Sequence, residues 1–124
     1  MIATSRFIIE FGMGMDFHGQ DVTKAAVKAA SDAISKSCLV GLREVCGFSH
    51  DDINKKVLID VTVGVTRPEE VKTGEVSKCF PVGRVTVKAV KGGLKTEGLY
   101  FEEFGDKDDS IEVAVASVKV EIKN

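Results

Sequence analysis

Gly12-Met-Gly-Met-Asp-Phe-His-Gly-Gln-Asp21 is the stretch on which the reading of this chain turns. It holds three glycines, two carboxylates and one of the two histidines, and it joins a hydrophobic segment to an alanine-rich one. Upstream, Phe7, Ile9, Phe11, Met13 and Met15 share one parity, and Ile8, Glu10, Gly12, Gly14 and Asp16 share the other. A period of two with one apolar parity predicts a half-buried strand. The apolar parity is read as facing the core. The small, acidic parity is read as the open face, where glycines let another backbone or a ligand come close. Downstream, Asp21 is placed to cap a helix running to about Lys36. Its apolar stripe is Val22, Ala26, Ala29, Ala30 and Ala33, a set small enough for close packing on a sheet.

The rest of the chain continues the alternation of strands and helices. Leu42 to Cys46 and the stretch after Ser49 read as short helices, the second opened by an S-x-x-D capping pattern. Residues 56–65 form a second strand, with Val57, Ile59, Val61, Val63 and Val65 on one side. Pro68, Glu69 and Glu70 suit a helix start. A short helix capped by Thr73 is expected to end before Pro81. Residues 83–91 are a third strand, closed by Gly92 and Gly93, and 95–110 read as a mobile polar loop. The last strand, 111–122, slips in parity between Val115 and Val118, which predicts a β-bulge near Ala116 and Ser117.

This order predicts an α+β fold: a β-α-β-α-β-β arrangement in a mixed four-stranded sheet, with helices on one face. The 124 residues are read as a single domain, 1–124. Seventeen basic and nineteen acidic residues give a net charge of −2, with no basic block to suit nucleic acid. No apolar run is long enough for a membrane span, and Arg6 and Glu10 interrupt any signal-peptide pattern. Cys38, Cys46 and Cys79 are odd in number and scattered, as in reduced thiols of a cytoplasmic protein.

Over nearly its whole length the chain resembles a small family of uncharacterised proteins of similar size from bacteria, archaea and some eukaryotes. The resemblance rests on Glu10-Phe-Gly-Met-Gly-Met-Asp-Phe-His-Gly-Gln-Asp-Val-Thr-Lys-Ala25, on Pro81-Val-Gly-Arg-Val-Thr-Val, and on Gly92-Gly-Leu94. The element order is also similar to the chorismate-mutase-like trimers, to the imine deaminases among them, and to the repeat unit of cyanuric acid hydrolase and barbiturase. That likeness implies strand order 1-4-2-3, a homo-oligomer that is a trimer or a multiple of three, and sites at subunit boundaries. No residue here matches the lysine–serine pairs of the ring-opening amidases or the carboxylate-holding arginine of the imine deaminases, so no reaction is carried over.

Parallel strands one to three bring three loops to one sheet edge, where α/β ligands commonly bind. His18 is the candidate acid or base, with Asp16 as its catalytic companion and Asp16 or Asp21 to orient it. Gly14, Gly19, Gln20, Lys24, Arg67, Lys91, Gly92 and Gly93 are the candidate ligand-binding residues. Cations beside a helix start suit a small anion. D-x-H-x-x-D holds possible metal ligands, but no distant partner has suitable spacing, so neither metal nor cofactor is assigned. The function expected is a small-anion-binding homo-oligomer that performs proton-transfer chemistry such as hydrolysis, deamination or isomerisation. The alternatives are a regulatory ligand-binding oligomer and a purely structural one.

Overall fold

The computed structural model describes residues 3–124. In chain order the elements are β1 (Thr4–Asp16), α1 (Val22–Ile34), α2 (Gly41–Glu44), α3 (His50–Lys56), β2 (Val57–Val65), a 3₁₀ turn (Pro68–Glu70), α4 (Thr73–Ser77), β3 (Arg84–Lys91), β4 (Leu94–Glu97), a second 3₁₀ turn (Glu102–Phe104) and β5 (Ser110–Lys123). The fold is α+β, around one mixed five-stranded sheet.

The main path of the sheet is β1-β5-β2-β3, and β4 pairs with β5. β5 is antiparallel to β1 and to β2, and β2 is parallel to β3. The expected sheet had four strands; the fifth, β4, comes from the stretch read as a mobile loop. β2 flanks β5 only from Ile122 to Val115, and β4 takes the same side from Val113 to Ser110. It thereby satisfies backbone groups that the end of β2 leaves open.

Only one parity of each inner strand enters the hydrophobic cluster: Val57, Ile59, Val61, Val63 and Val65 of β2, and Ala114, Ala116, Val118 and Val120 of β5. Across from them lie Ala25, Ala26, Ala29, Ala30 and Ala33 of α1, with Leu42, Val76 and Phe80. The other face is covered by no helix among the described residues.

Two expectations about faces are corrected. In β1 the register shifts between Arg6 and Ile8, so Phe7 packs on the core while Ile9, Phe11 and Met13 are exposed on the open face. Glu10, Gly12, Gly14 and Asp16 are the parity beneath α1. A Cβ at Gly12 would sit 2.9 Å from Ala33 Cα, and one at Gly14 would sit 2.5 Å from Lys28 Cβ. The glycines therefore serve helix-on-strand contact, not sheet-to-sheet approach. In β5 the register against β1 and β2 runs unbroken through Ala116 and Ser117, so there is no bulge there. The apolar residues change face instead, with Val113 and Val115 on the open side and Val118 and Val120 on the core side.

α1 also seals the outer edge of β1. Asp32 accepts the Met13 N–H at 2.9 Å, and Lys28 and Lys36 donate to the carbonyls of Met15 and Phe11 at 3.0 and 2.8 Å. Charged side chains on exposed edge groups block pairing with another strand. Asp21 caps α1 as expected, accepting from the amides of Thr23 and Lys24. Ser49 and Asp52 form a complete capping box on α3. Thr73 is the first residue of α4 rather than its cap, and Lys72 precedes it without a side-chain bond. No helix among the described residues is long and apolar enough to cross a membrane.

Candidate functional site

The turn from β1 into α1 has an unusual backbone. Gly19 and Gln20 both have positive φ, +98° and +53°. For Gln20 this left-handed conformation is uncommon and needs local support. Its side chain supplies it, donating to the carbonyls of Ser110 and Asp108 and to Asp106, while its own oxygen accepts the Lys107 N–H at 2.9 Å. The turn is thus tied to the segment before β5.

Asp106 is the centre of that junction. Its side chain has no exposed surface. It accepts hydrogen bonds from His18 Nδ1 at 2.8 Å, from the amides of Gly19 and Phe101 at 2.8 and 2.9 Å, and from Gln20 Nε2 at 3.1 Å. Burial pushes the carboxyl up, but the Phe101 amide, His18, the Gly19 amide and Gln20 together hold it well below the usual carboxylate range. An ionised carboxylate only accepts, so Nδ1 of His18 carries the proton and Nε2 is left as the basic nitrogen. The ring lies 5.0 Å from Phe104 and 5.8 Å from Phe101, centroid to centroid. Nε2 has no hydrogen-bond partner among the described residues. A histidine held by a carboxylate in this way has the geometry that a base with its orienting partner needs.

Sequence reading missed Asp106 and assigned its role to Asp16 or Asp21. Asp16 is buried and accepts the Asp21 N–H at 2.8 Å. Asp21 is occupied by the cap. No spacing rule finds a partner 88 residues from His18. The nearest signal was the density of small and acidic residues in 105–110.

Beside the turn opens a cleft of about 620 Å³. Gly19, Gln20, Asp21, Lys24, Lys28, Arg67, Glu70, Lys72, Glu75 and Lys107 line it, with Val22, Thr23 and Val27. Arg67 is held by Glu70 at 3.2 Å and by the carbonyl of Gln20. Thr66, just before it, is fixed by donating to the buried Glu112. Thr23 bonds Glu70 and Lys72 through its hydroxyl, fastening the far wall to α1. Glu75 pairs with Lys78, and Lys28 is committed to the carbonyl of Met15. Lys24, Lys72 and Lys107 line the cleft without an ion-pair partner among the described residues.

Of the candidate residues, Gly19, Gln20, Lys24 and Arg67 meet on this cleft. His18 adjoins it through Gly19 but is not on its wall. Gly14 lies under α1. Lys91, Gly92 and Gly93 do not reach the cleft: the Gly92 N–H donates to the Val65 carbonyl, and Gly93 (φ +70°) turns the chain into β4. Lys28 was missed although it stands one turn beyond Lys24 on α1; Lys72 and Lys107 were missed because only the fold brings their segments to that helix. No group of three or more histidine, cysteine or acidic residues among those described is arranged to hold a metal ion.

A family model described as "Conserved hypothetical protein (Lin0512_fam)" matches residues 6–120. The chain is also similar to a crystal structure of a protein from Nostoc punctiforme, described as FtsZ-like and of unknown function. The two share 41% sequence identity over 100% of both chains, with a TM-score of 0.86. No curated protein matches the sequence.

Proposed function

Because the chain belongs to the Lin0512_fam family of conserved hypothetical proteins, whose description names no reaction, we propose its function from the geometry of the site: it binds a small anionic metabolite in the cleft at the start of α1. The observation that carries this reading is three lysines, Lys24, Lys72 and Lys107, on one cleft with no ion-pair partner among the described residues, while Glu70 and Glu75 on the same cleft are paired with Arg67 and Lys78. Cations gathered on low-dielectric walls raise the local concentration of an anion and hold it. The amides of Thr23 and Lys24 do not bind it directly, since Asp21 occupies them.

The His18–Asp106 pair adds proton transfer to this binding. His18 Nε2 removes a proton from the bound molecule, Asp106 stabilises the imidazolium, and the lysines stabilise the negative charge that develops. Hydrolysis, deamination and isomerisation all need such a step. Asp16 holds the turn through the Asp21 amide. A homo-oligomer in the cytoplasm, a trimer or a multiple of three, belongs to the same proposal, as does the likeness to chorismate-mutase-like trimers. The three free cysteines suit a reducing compartment. A second reading, binding and regulation without catalysis, draws on one observation: His18 stands beside the cleft rather than on its wall.

The test is thermal shift with inorganic phosphate and a panel of small carboxylates and phosphorylated metabolites. Wild type is expected to be stabilised, and the Lys72→Ala/Lys107→Ala variant is expected to lose at least tenfold in affinity. No stabilisation of the wild type by any anion, or equal stabilisation of both, would remove the reading. Turnover of a hit that is abolished in His18→Ala, with binding retained, separates enzyme from binder.

A further inference from the structure

We propose that a second copy of this chain docks on the open face of the sheet, and that this contact places His18 at the boundary between the copies. The siting of His18 rests on the acid–base reading above; the docking surface does not.

Cross-strand registers lay out the open face row by row. Met15 stands beside Val113 and then Leu94, and Met13 beside Val115, Gly64 and Val90. Phe11 stands beside Ser117, Thr62 and Lys88, and Ile9 beside Lys119, Asp60 and Thr86. Phe11 is 66% exposed, and Met13, Val115 and Leu94 are each about half exposed or more. Folded monomers rarely leave so continuous an apolar surface in water, and such a surface usually marks an interface. It continues beyond the strands. Gly98 packs under Ile111, and exposed Leu99, Tyr100 and Phe104 follow, with Phe104 against the His18 ring. A partner seated on the sheet therefore meets the aromatic rim of His18 as well.

The charges on the same face choose the partner. Asp60 and Glu121 lie among Arg84, Lys88 and Lys119, and none of the five makes an ion pair within the described chain, although Lys119 is directly across from Asp60. A face that carries both signs, unpaired, is complementary to its own copy turned about. Shape agrees. A groove of about 490 Å³, lined by Leu58, Asp60, Arg84, Thr86 and Lys88 among others, lies beside the protruding Ile9 and Phe11 on one surface. Edge-to-edge pairing through β1 is closed by Lys28, Asp32 and Lys36.

Light scattering and sedimentation of the wild type at micromolar concentration are expected to give a multiple of the 13.3 kDa chain. Phe11→Glu and, separately, Val115→Lys replace exposed side chains. Each is expected to keep the circular dichroism spectrum and to weaken self-association about thirtyfold or more. Amide exchange of residues 99–104 is expected to quicken in the same variants. A wild type that stays at 13.3 kDa overturns the proposal. So does an assembly that neither substitution weakens. Dissociation without faster exchange at 99–104 overturns the placement of His18 alone. Inorganic phosphate binding, measured in the dissociated variants, reports on the cleft independently of mass.

Discussion

A buried carboxylate survives in ionised form only where donors replace the water it has lost. Asp106 has four donors from two parts of the chain: His18, Gly19 and Gln20 of the β1–α1 turn, and Phe101. Its native carboxyl is held below the unfolded value of 3.8. Between those values the unfolded chain binds more protons, so stability there rises with pH. The stabilisation is complete above about pH 4 and is lost as the pH falls further. Asp32, Asp52 and Asp108 are lowered in the same direction, so the acid slope of the wild type has several sources. Asp106→Asn isolates one of them. The amide NH₂ then faces donors, so the variant is expected to be less stable at pH 7, with a shallower loss of stability below pH 4. Urea unfolding at a series of pH values measures both, and parallel slopes would refute the role given to Asp106. At this scale the sequence was legible for the Asp21 cap, which accepts from amides two and three residues away. Asp106 was not, because its partners lie across a chain closure that no local spacing records.

Alternation shows which residues of a strand share a face but not which face meets the helices. That ambiguity is why β1 was read inside out. The resolving signal was present in α1, whose contact residues are alanines and therefore need a partner with little side chain. Gly12 and Gly14 are that partner, and the register shift after Arg6 brings their parity beneath the helix. The parity slip in β5 was real, but its cause is an apolar patch on the open face rather than an inserted residue. The packing makes a sharp prediction. At Gly12 a methyl group must displace the backbone of α1, which carries no flexible side chain to yield at that point. Gly12→Ala is expected to cost about 3 kcal/mol, near the upper end for overpacking. Gly74, in α4, has nothing within 4 Å of its missing Cβ. Gly74→Ala is expected to leave stability unchanged or raise it by up to ~1 kcal/mol. Urea denaturation of the two variants decides: a Gly12→Ala loss below about 1 kcal/mol would mean that α1 does not rest on the strand backbone.

Across the whole molecule, strand order decides what can be cut and what cannot. β5 lies between β1 and β2 and, among the described residues, is the only strand that joins β1 to the rest of the sheet. The number and direction of the main strands were legible from the βα alternation, because crossover rules leave few arrangements open. β4 was not, being four exposed residues inside a polar stretch. The same order sets the first and last described residues side by side, with Thr4 opposite Lys123 and the Asn124 N–H on the Ala3 carbonyl at 3.1 Å. Adjacent surface ends are the condition under which circular permutation keeps a fold. A permutant with a short glycine–serine link between the old ends, opened at Gly47, is therefore expected to fold. Gly47 is exposed, with nothing within 4 Å of the Cβ position, and it lies between α2 and α3, away from the cleft and His18. Ending the chain at Gly105 instead removes β5 with Asp106, leaves β1 with no strand partner among the described residues, and is expected to leave no cooperative unfolding transition. Circular dichroism melts of the permutant and the truncation, run against the wild type, test both expectations. A truncation that still melts cooperatively would show that β5 is not the strand on which the sheet depends.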